Sequence, residues 1–323
     1  MNNQGIPKIS KQKTPIISLQ MLVFLILILA VFALFTFLTP DFCFLKIENL
    51  NNILTDAVIP AIFALGMGII IAGGGIDLSL GHIASMVAII VTYLMSRGIE
   101  FNLALPILVG LVTAAGIGAV SGLLVSRLGI SSLIVTLGMM FLIIGIRQII
   151  TGGQSIYINN EAFKRIAINE FGISNLVIIL MIVGVLCYLT MERSIFGRKI
   201  QFVGANIKAS RFMGIDVKNI TMYTFILGAV LAAFGGILFA ARAGAVQINS
   251  VDSNLLGALC IAVFSSVLFG RFKTSGIILV AILISMIGMG MSMMGIKTEW
   301  INFMKGLILF FSILMAKFMN FNT

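Results

Sequence analysis

Charge is what this sequence has least of. Only 10% of its 323 residues are Asp, Glu, Lys or Arg, and it holds one histidine, one tryptophan and five prolines. Soluble domains carry roughly 25% charged residues to clothe their surface, so a soluble globular protein is excluded. The lone His82 cannot assemble a histidine metal site. Cys43, Cys187 and Cys260 stand far apart, with neither ligand spacing nor a pairing pattern, so neither a metal centre nor a disulfide framework is expected. Catalytic signatures are missing as well. There is no H-E-x-x-H, no G-x-S-x-G, no carboxylate pair on one helix face and no G-x-x-x-x-G-K-S/T phosphate loop. No enzymatic activity, cofactor or ATP hydrolysis by the chain itself is expected.

What the sequence has is apolar length. Hydrophobic residues make up 60% of it, gathered into runs of about 20 residues, the length that spans a bilayer as helix. Ten runs are predicted as helices, near 17–38, 53–72, 76–95, 104–126, 131–150, 174–190, 219–241, 255–270, 276–294 and 301–318. The fold class is therefore all-α, a polytopic membrane protein of about ten transmembrane helices forming one domain over 1–323. The first run is too long for a signal-peptide core and has no A-x-A site, so it is read as a retained span.

The net charge of +10 lies mostly between the runs, where it sets orientation and does not point to nucleic acid. An inside N-terminus places Lys8, Lys11, Lys13 and the cluster from Arg193 to Lys218 in the cytoplasm. The outer segments then hold only Lys46, Arg97, Arg147, Lys164, Arg165, Arg242 and Lys297. Both termini, the 1–16 tail and the long 191–218 loop are expected on the cytoplasmic side. Small residues at spacings of three and four in GLVTAAGIGAVSG (110–122) and GAVLAAFGG (228–236) predict close helix packing.

Ionisable residues within the runs are scarce: Asp77, with Asp56 near an outer boundary and Lys305 in the outer half of the last run. Proton- or sodium-coupled carriers place several such groups at mid-membrane, so the scarcity argues against that class. Asp77 sits in GGGIDLSLG. An ionised carboxylate facing hydrocarbon costs about 2.5–3.5 kcal/mol or more. Gly73, Gly74 and Gly75 each weaken helix continuation by about 1 kcal/mol, so a helix break is expected there. Asp77, with Ser79 behind it, is then expected as the N-cap of a new helix, its charge answered by backbone N–H groups and the helix dipole. Two placements fit: a capped turn at the cytoplasmic face, or a break inside the bundle lining a solute route through Gly73, Gly74, Gly75, Asp77, Ser79 and Gly81.

A second stretch, FGRKIQFVGANIKASRFMGIDV, mixes apolar positions with Arg198, Lys199, Lys208 and Arg211. It is expected to form a short amphipathic helix over 198–215 that lies on a membrane surface or docks into a partner's groove.

Together these stretches resemble the membrane permease subunits of sugar-type ABC importers, the ribose/galactoside/xylose and autoinducer-2 group. The family's G-G-I-D-L-S-x-G matches residues 74–81, and its cytoplasmic motif is echoed by Phe196, Gly197, Arg198, Gly204, Asn206, Ala209, Gly214 and Ile215. The resemblance implies a homo- or heterodimer of permeases in the lipid of the cytoplasmic (inner) membrane. It also implies a separate ABC ATP-binding subunit, an extracytoplasmic solute-binding protein, and a small sugar or sugar-like solute. Gly197, Arg198, Gly204, Asn206, Ala209, Arg211 and Gly214 are the residues it assigns to ATPase coupling. One region departs. Where the family carries an acidic, glycine-rich stretch, this chain reads SNLLGALCIAVFSSVLFGRFKTSG over 253–276, keeping Ser265, Ser266, Gly270 and Gly276. Two other readings stand beside this one: a secondary transporter or channel, and a non-transporting half of a heterodimer.

Overall fold

The computed structural model describes residues 19–97, 103–158, 160–168, 172–269 and 272–320. The tail at 1–16 and Gly270 lie outside the described residues. Thirteen α-helices follow in order: α1 (Leu19–Leu38), α2 (Ile47–Ala72), α3 (Leu80–Ser96), α4 (Ala104–Leu128), α5 (Ser132–Thr151), α6 (Glu161–Lys164) and α7 (Asn175–Tyr188). Then come α8 (Ile195–Ala205), α9 (Ile207–Phe212), α10 (Val217–Ala243), α11 (Asn254–Phe269), α12 (Thr274–Met293) and α13 (Thr298–Asn320). Each of the ten apolar runs is a helix, and α6, α8 and α9 occupy the joints. Among the described residues, seven helices are long and apolar enough to cross a membrane, with α3 and α11 as shorter apolar helices.

The largest boundary difference is at α2, which starts at Ile47 and not near 53. The polar IENLNN turn is helical because its groups find partners: the Asn49 side chain donates to the Phe44 carbonyl at 3.0 Å, and the Asn49 amide to Lys46 at 2.9 Å.

α2 and α10 form the centre. In α2, 78% of the apolar window is buried, against 17% in α1, whose leucines and phenylalanines form part of the outer, lipid-compatible belt. The small-residue stretches act as expected from their spacing. A Cβ added to Gly228 would stand 2.4 Å from Ile70 on α2, and one on Gly118 only 2.7 Å from the Phe225 carbonyl of α10. Helix backbones thus approach closely on both sides of α10.

A two-residue antiparallel ladder was not foreseen. β1 (Ile156–Tyr157) pairs with β2 (Ala245–Val246), tying the segment after α5 to the segment after α10. α3 and α11 have 17 and 16 residues, so each is about 25 Å long, short of a hydrocarbon core of about 30 Å. Both are preceded by non-helical chain, 73–79 and 247–253, and their first turns meet: a Cβ on Gly81 would lie 3.0 Å from the Leu255 Cβ and 3.1 Å from the Asp252 carbonyl.

Candidate functional site

The glycines before Asp77 end α2 by a specific device. Gly74 adopts a left-handed φ of 84°, the Gly75 amide donates back to Ile70 at 3.0 Å, and the Gly74 amide to Ile71 at 2.9 Å. This is a Schellman motif with glycine at the left-handed position, where a side chain would be strained. The next residues run without helical hydrogen bonds, and α5 supplies the missing partners. The Ile76 amide donates to Ser132 Oγ at 3.3 Å, and the Leu78 amide to Thr136 Oγ1 at 3.2 Å. Non-helical backbone at membrane depth needs such protein partners. Neither hydroxyl was singled out in the sequence, although SSLIVT places both within an apolar run.

Asp77 and Ser79 are fully buried. The break thus has two sides: Gly73, Asp77 and Ser79 pack into the bundle, while Gly74 and Ile76 are exposed. The structure also corrects the cap. Ser79, not Asp77, is the N-cap of α3, and it makes no side-chain cap bond. Asp77 Oδ1 instead accepts from the Ser79 amide at 2.7 Å and from the Ser79 hydroxyl, while its Oδ2 is buried without a hydrogen-bond partner among the described residues.

The amphipathic stretch is also divided differently. The single helix expected over 198–215 is two, α8 and α9, separated at Asn206, whose extended backbone (φ −158°, ψ 102°) cannot continue α8 and whose side chain caps α9 through the Ala209 amide at 2.9 Å. Arg198, Ala209, Arg211 and Gly214 are exposed, as are Phe202, Ile207, Phe212 and Met213. Gly197 and Gly204 direct their Cβ positions into the permease itself. A Cβ on Gly197 would stand 2.1 Å from the Met191 carbonyl, and one on Gly204 2.1 Å from the Ala72 carbonyl and 3.0 Å from the Gly74 amide nitrogen. The two motifs, 130 residues apart in the chain, thus meet backbone to backbone at Gly74 and Gly204.

A third group escaped the sequence reading. Arg147, counted there as an outer-segment charge, is fully buried near the end of α5. Its Nη1 donates to Asp252 Oδ1 at 2.8 Å and to the Ile248 carbonyl at 2.7 Å, and its Nη2 to Asp252 Oδ2 at 3.0 Å. Ser85 Oγ donates to Asp252 Oδ1 at 2.6 Å. His82 Nδ1 lies 3.0 Å from Arg147 Nη2 and 3.1 Å from Asp252 Oδ2, accepting from one or donating to the other according to its tautomer. This bidentate pair pins the 247–253 approach to α3 and α5. Asp77 is therefore not the sole acid in the bundle. Arginine inside an apolar run was the available signal; its partner lay 105 residues away.

A cavity of about 530 Å³ lies between α2, α10, α11, α12 and α13. It is lined by Asp56, Arg242, Asn254, Ser285, Asn302 and Lys305 over an apolar floor that includes Ile261 and Ile284. Asp56 and Arg242 form an ion pair at its wall. No group of His, Cys, Asp and Glu among the described residues could hold a metal ion.

The chain matches, over residues 49–313, the model of a family described as branched-chain amino acid transport system / permease component. It is 28% identical over 297 residues to the ribose import permease protein of Escherichia coli K12, covering 90% of this chain and 91% of that one. It is 27% identical over 308 residues to the galactose/methyl galactoside import permease protein of the same strain, covering 89% and 91%. The autoinducer 2 import system permease protein of Yersinia enterocolitica is 30% identical over 287 residues, covering 87% and 79%. No solved structure matches the chain.

Proposed function

The chain belongs to the branched-chain amino acid transport system / permease component family, and from that premise we propose that it passes a small sugar or sugar-like solute across the cytoplasmic membrane as the permease subunit of an ABC importer. It is a multi-pass membrane permease, not an enzyme. ATP is hydrolysed by a partner chain, solute is delivered by an extracytoplasmic binding protein, and two permease subunits enclose the route. The solute class follows the import permeases of ribose, galactose and autoinducer 2 to which the chain is similar.

One observation carries the reading: the backbone contact between Gly204 of α8 and the 72–74 end of α2. A partner gripping the exposed Phe202, Ile207 and Phe212 of α8 and α9 has a rigid path into the bundle, because nothing compressible separates Gly204 from Ala72. Arg198 and Arg211 flank that apolar surface and fix register at its rim. The basic 191–218 segment and both chain ends then face the ATPase, in keeping with the lysine and arginine distribution.

The test uses vesicles holding the permease with its ATPase subunits and binding protein, loaded with a panel of labelled pentoses, hexoses and their acids. At least one should accumulate with ATP and none without it. An impermeant thiol reagent should reach Asn206→Cys only from the ATPase side. Uptake driven by an ion gradient without ATP would replace this reading with the secondary-transporter one.

A further inference from the structure

The cavity between α2, α10, α11, α12 and α13 has an unbalanced charge. Its one lining carboxylate, Asp56, is engaged by Arg242. Lys305, half-buried on α13, has no carboxylate within ion-pairing distance among the described residues. Glu299, on the first turn of α13, is exposed and does not line the space. Two helices also begin at the cavity wall: Asn254 is the first residue of α11 and Thr298 the first of α13. Their dipoles add positive potential to that of Lys305.

We propose that this cavity binds a small hydroxylated anion, a sugar-like solute bearing a carboxylate or phosphate, with Lys305 as its charge partner. The proposal rests on the permease reading and names the solute class for it. A neutral sugar would leave the ammonium desolvated and unpaired, whereas an anionic group answers it and the two helix starts together. The amides of Asn254 and Asn302 and the hydroxyl of Ser285 are spaced around the same walls to exchange hydrogen bonds with sugar hydroxyls. The volume, about 530 Å³, falls in the range of small-molecule sites of about 300–1,000 Å³. A cavity so lined is not filled by lipid tails, because intramembrane ionisable groups face water-filled or solute-filled space.

The experiment places one thiol in the cavity. Gly257 lines it and has open space where a Cβ would stand, so Gly257→Cys is accommodated without a clash. The full-length chain, its three native cysteines replaced by serine, is held in phosphatidylcholine nanodiscs so that no anionic headgroup competes. Rates of modification by anionic sulfonatoethyl and cationic trimethylammonioethyl methanethiosulfonate are measured against the exposed Tyr157→Cys. The anionic reagent should be favoured by about five-fold or more over that reference. Lys305→Gln should erase the preference and Lys305→Arg should keep it. Galacturonate or galactose 1-phosphate should protect the thiol where galactose does not, and whichever protects identifies carboxylate or phosphate as the group. An anionic preference equal to the reference, a preference unmoved by Lys305→Gln, protection by galactose alone, or no reaction at all would overturn the proposal. Because the thiol reports without the ATPase, protection with no ATP-driven flux would remove the transport reading and leave the anion site standing.

Discussion

The non-helical approaches to α3 and α11 solve one problem in opposite ways. Both bring non-helical backbone against the helix bundle, and both end where Gly81 meets Leu255 and Asp252. The 73–79 approach is held by a glycine turn, two hydroxyls from α5 and a carboxylate that uses one of its two oxygens. The 247–253 approach is locked by Asp252, which accepts from Ser85 and, through both oxygens, from Arg147, a bidentate hold that a neutral side chain would not reproduce. Neutral hydrogen bonds can be exchanged singly, whereas a buried bidentate ion pair comes apart only as a unit. The first approach, which touches α8 through Gly74, is thus the adjustable one, and the second is the fixed frame against which it sits.

The comparison breaks most visibly at Arg147. Arg147→Met leaves the partly buried Asp252 without its cation and should destabilise the bundle by about 2–4 kcal/mol, read as a lowered unfolding midpoint in detergent. Adding Asp252→Leu should restore most of that loss; wild-type stability in the single variant would show that the second approach is not locked. Next comes the α8 contact. Gly204→Val forces a side chain into the Ala72 carbonyl and should cost about 1–3 kcal/mol while uncoupling uptake from ATP hydrolysis. The smallest effect sharpens the account of Asp77. Asp77→Asn keeps the acceptor for the Ser79 amide and hydroxyl and should retain most uptake, whereas Asp77→Ala loses it at about 0.5–1.5 kcal/mol. Loss of uptake in the Asn variant with assembly intact would show that the carboxylate charge is used directly.

The helices were legible because each is a local pattern: an apolar run of sufficient length bounded by glycine, charge or a capping residue. The break at Gly73, Gly74 and Gly75 was legible for the same reason, since three glycines lie side by side. The division at Asn206 was missed because the apolar and basic periodicity runs straight through it, although asparagine before an alanine-containing turn is an ordinary cap. What the sequence could not reveal are contacts between distant residues. Arg147 reads as an orienting charge until Asp252 is seen beside it, and Lys305 reads as an isolated charge in the outer half of the last run until Asp56 and Arg242 line the same space. The glycines at 197 and 204 looked like part of a docking surface, and only the carbonyls of Met191 and Ala72 reveal which side they face.

The length of α2 has a mechanical consequence. Its 26 residues make a rod about 39 Å long, with the Gly204 contact at one end and Asp56, on the cavity wall, toward the other. Helices are stiff along their axis, so a displacement delivered at Ala72 is carried along α2 as far as Pro60, which has no amide to donate to the Asp56 carbonyl and loosens the turn there. The path from the same point to α3 runs through Gly73, Gly74 and Gly75, where the chain is compliant and strain dissipates in torsions. One push at α8 is therefore shared unequally, carried by α2 to the proline turn at the cavity wall and damped by the glycine link on its way to α3.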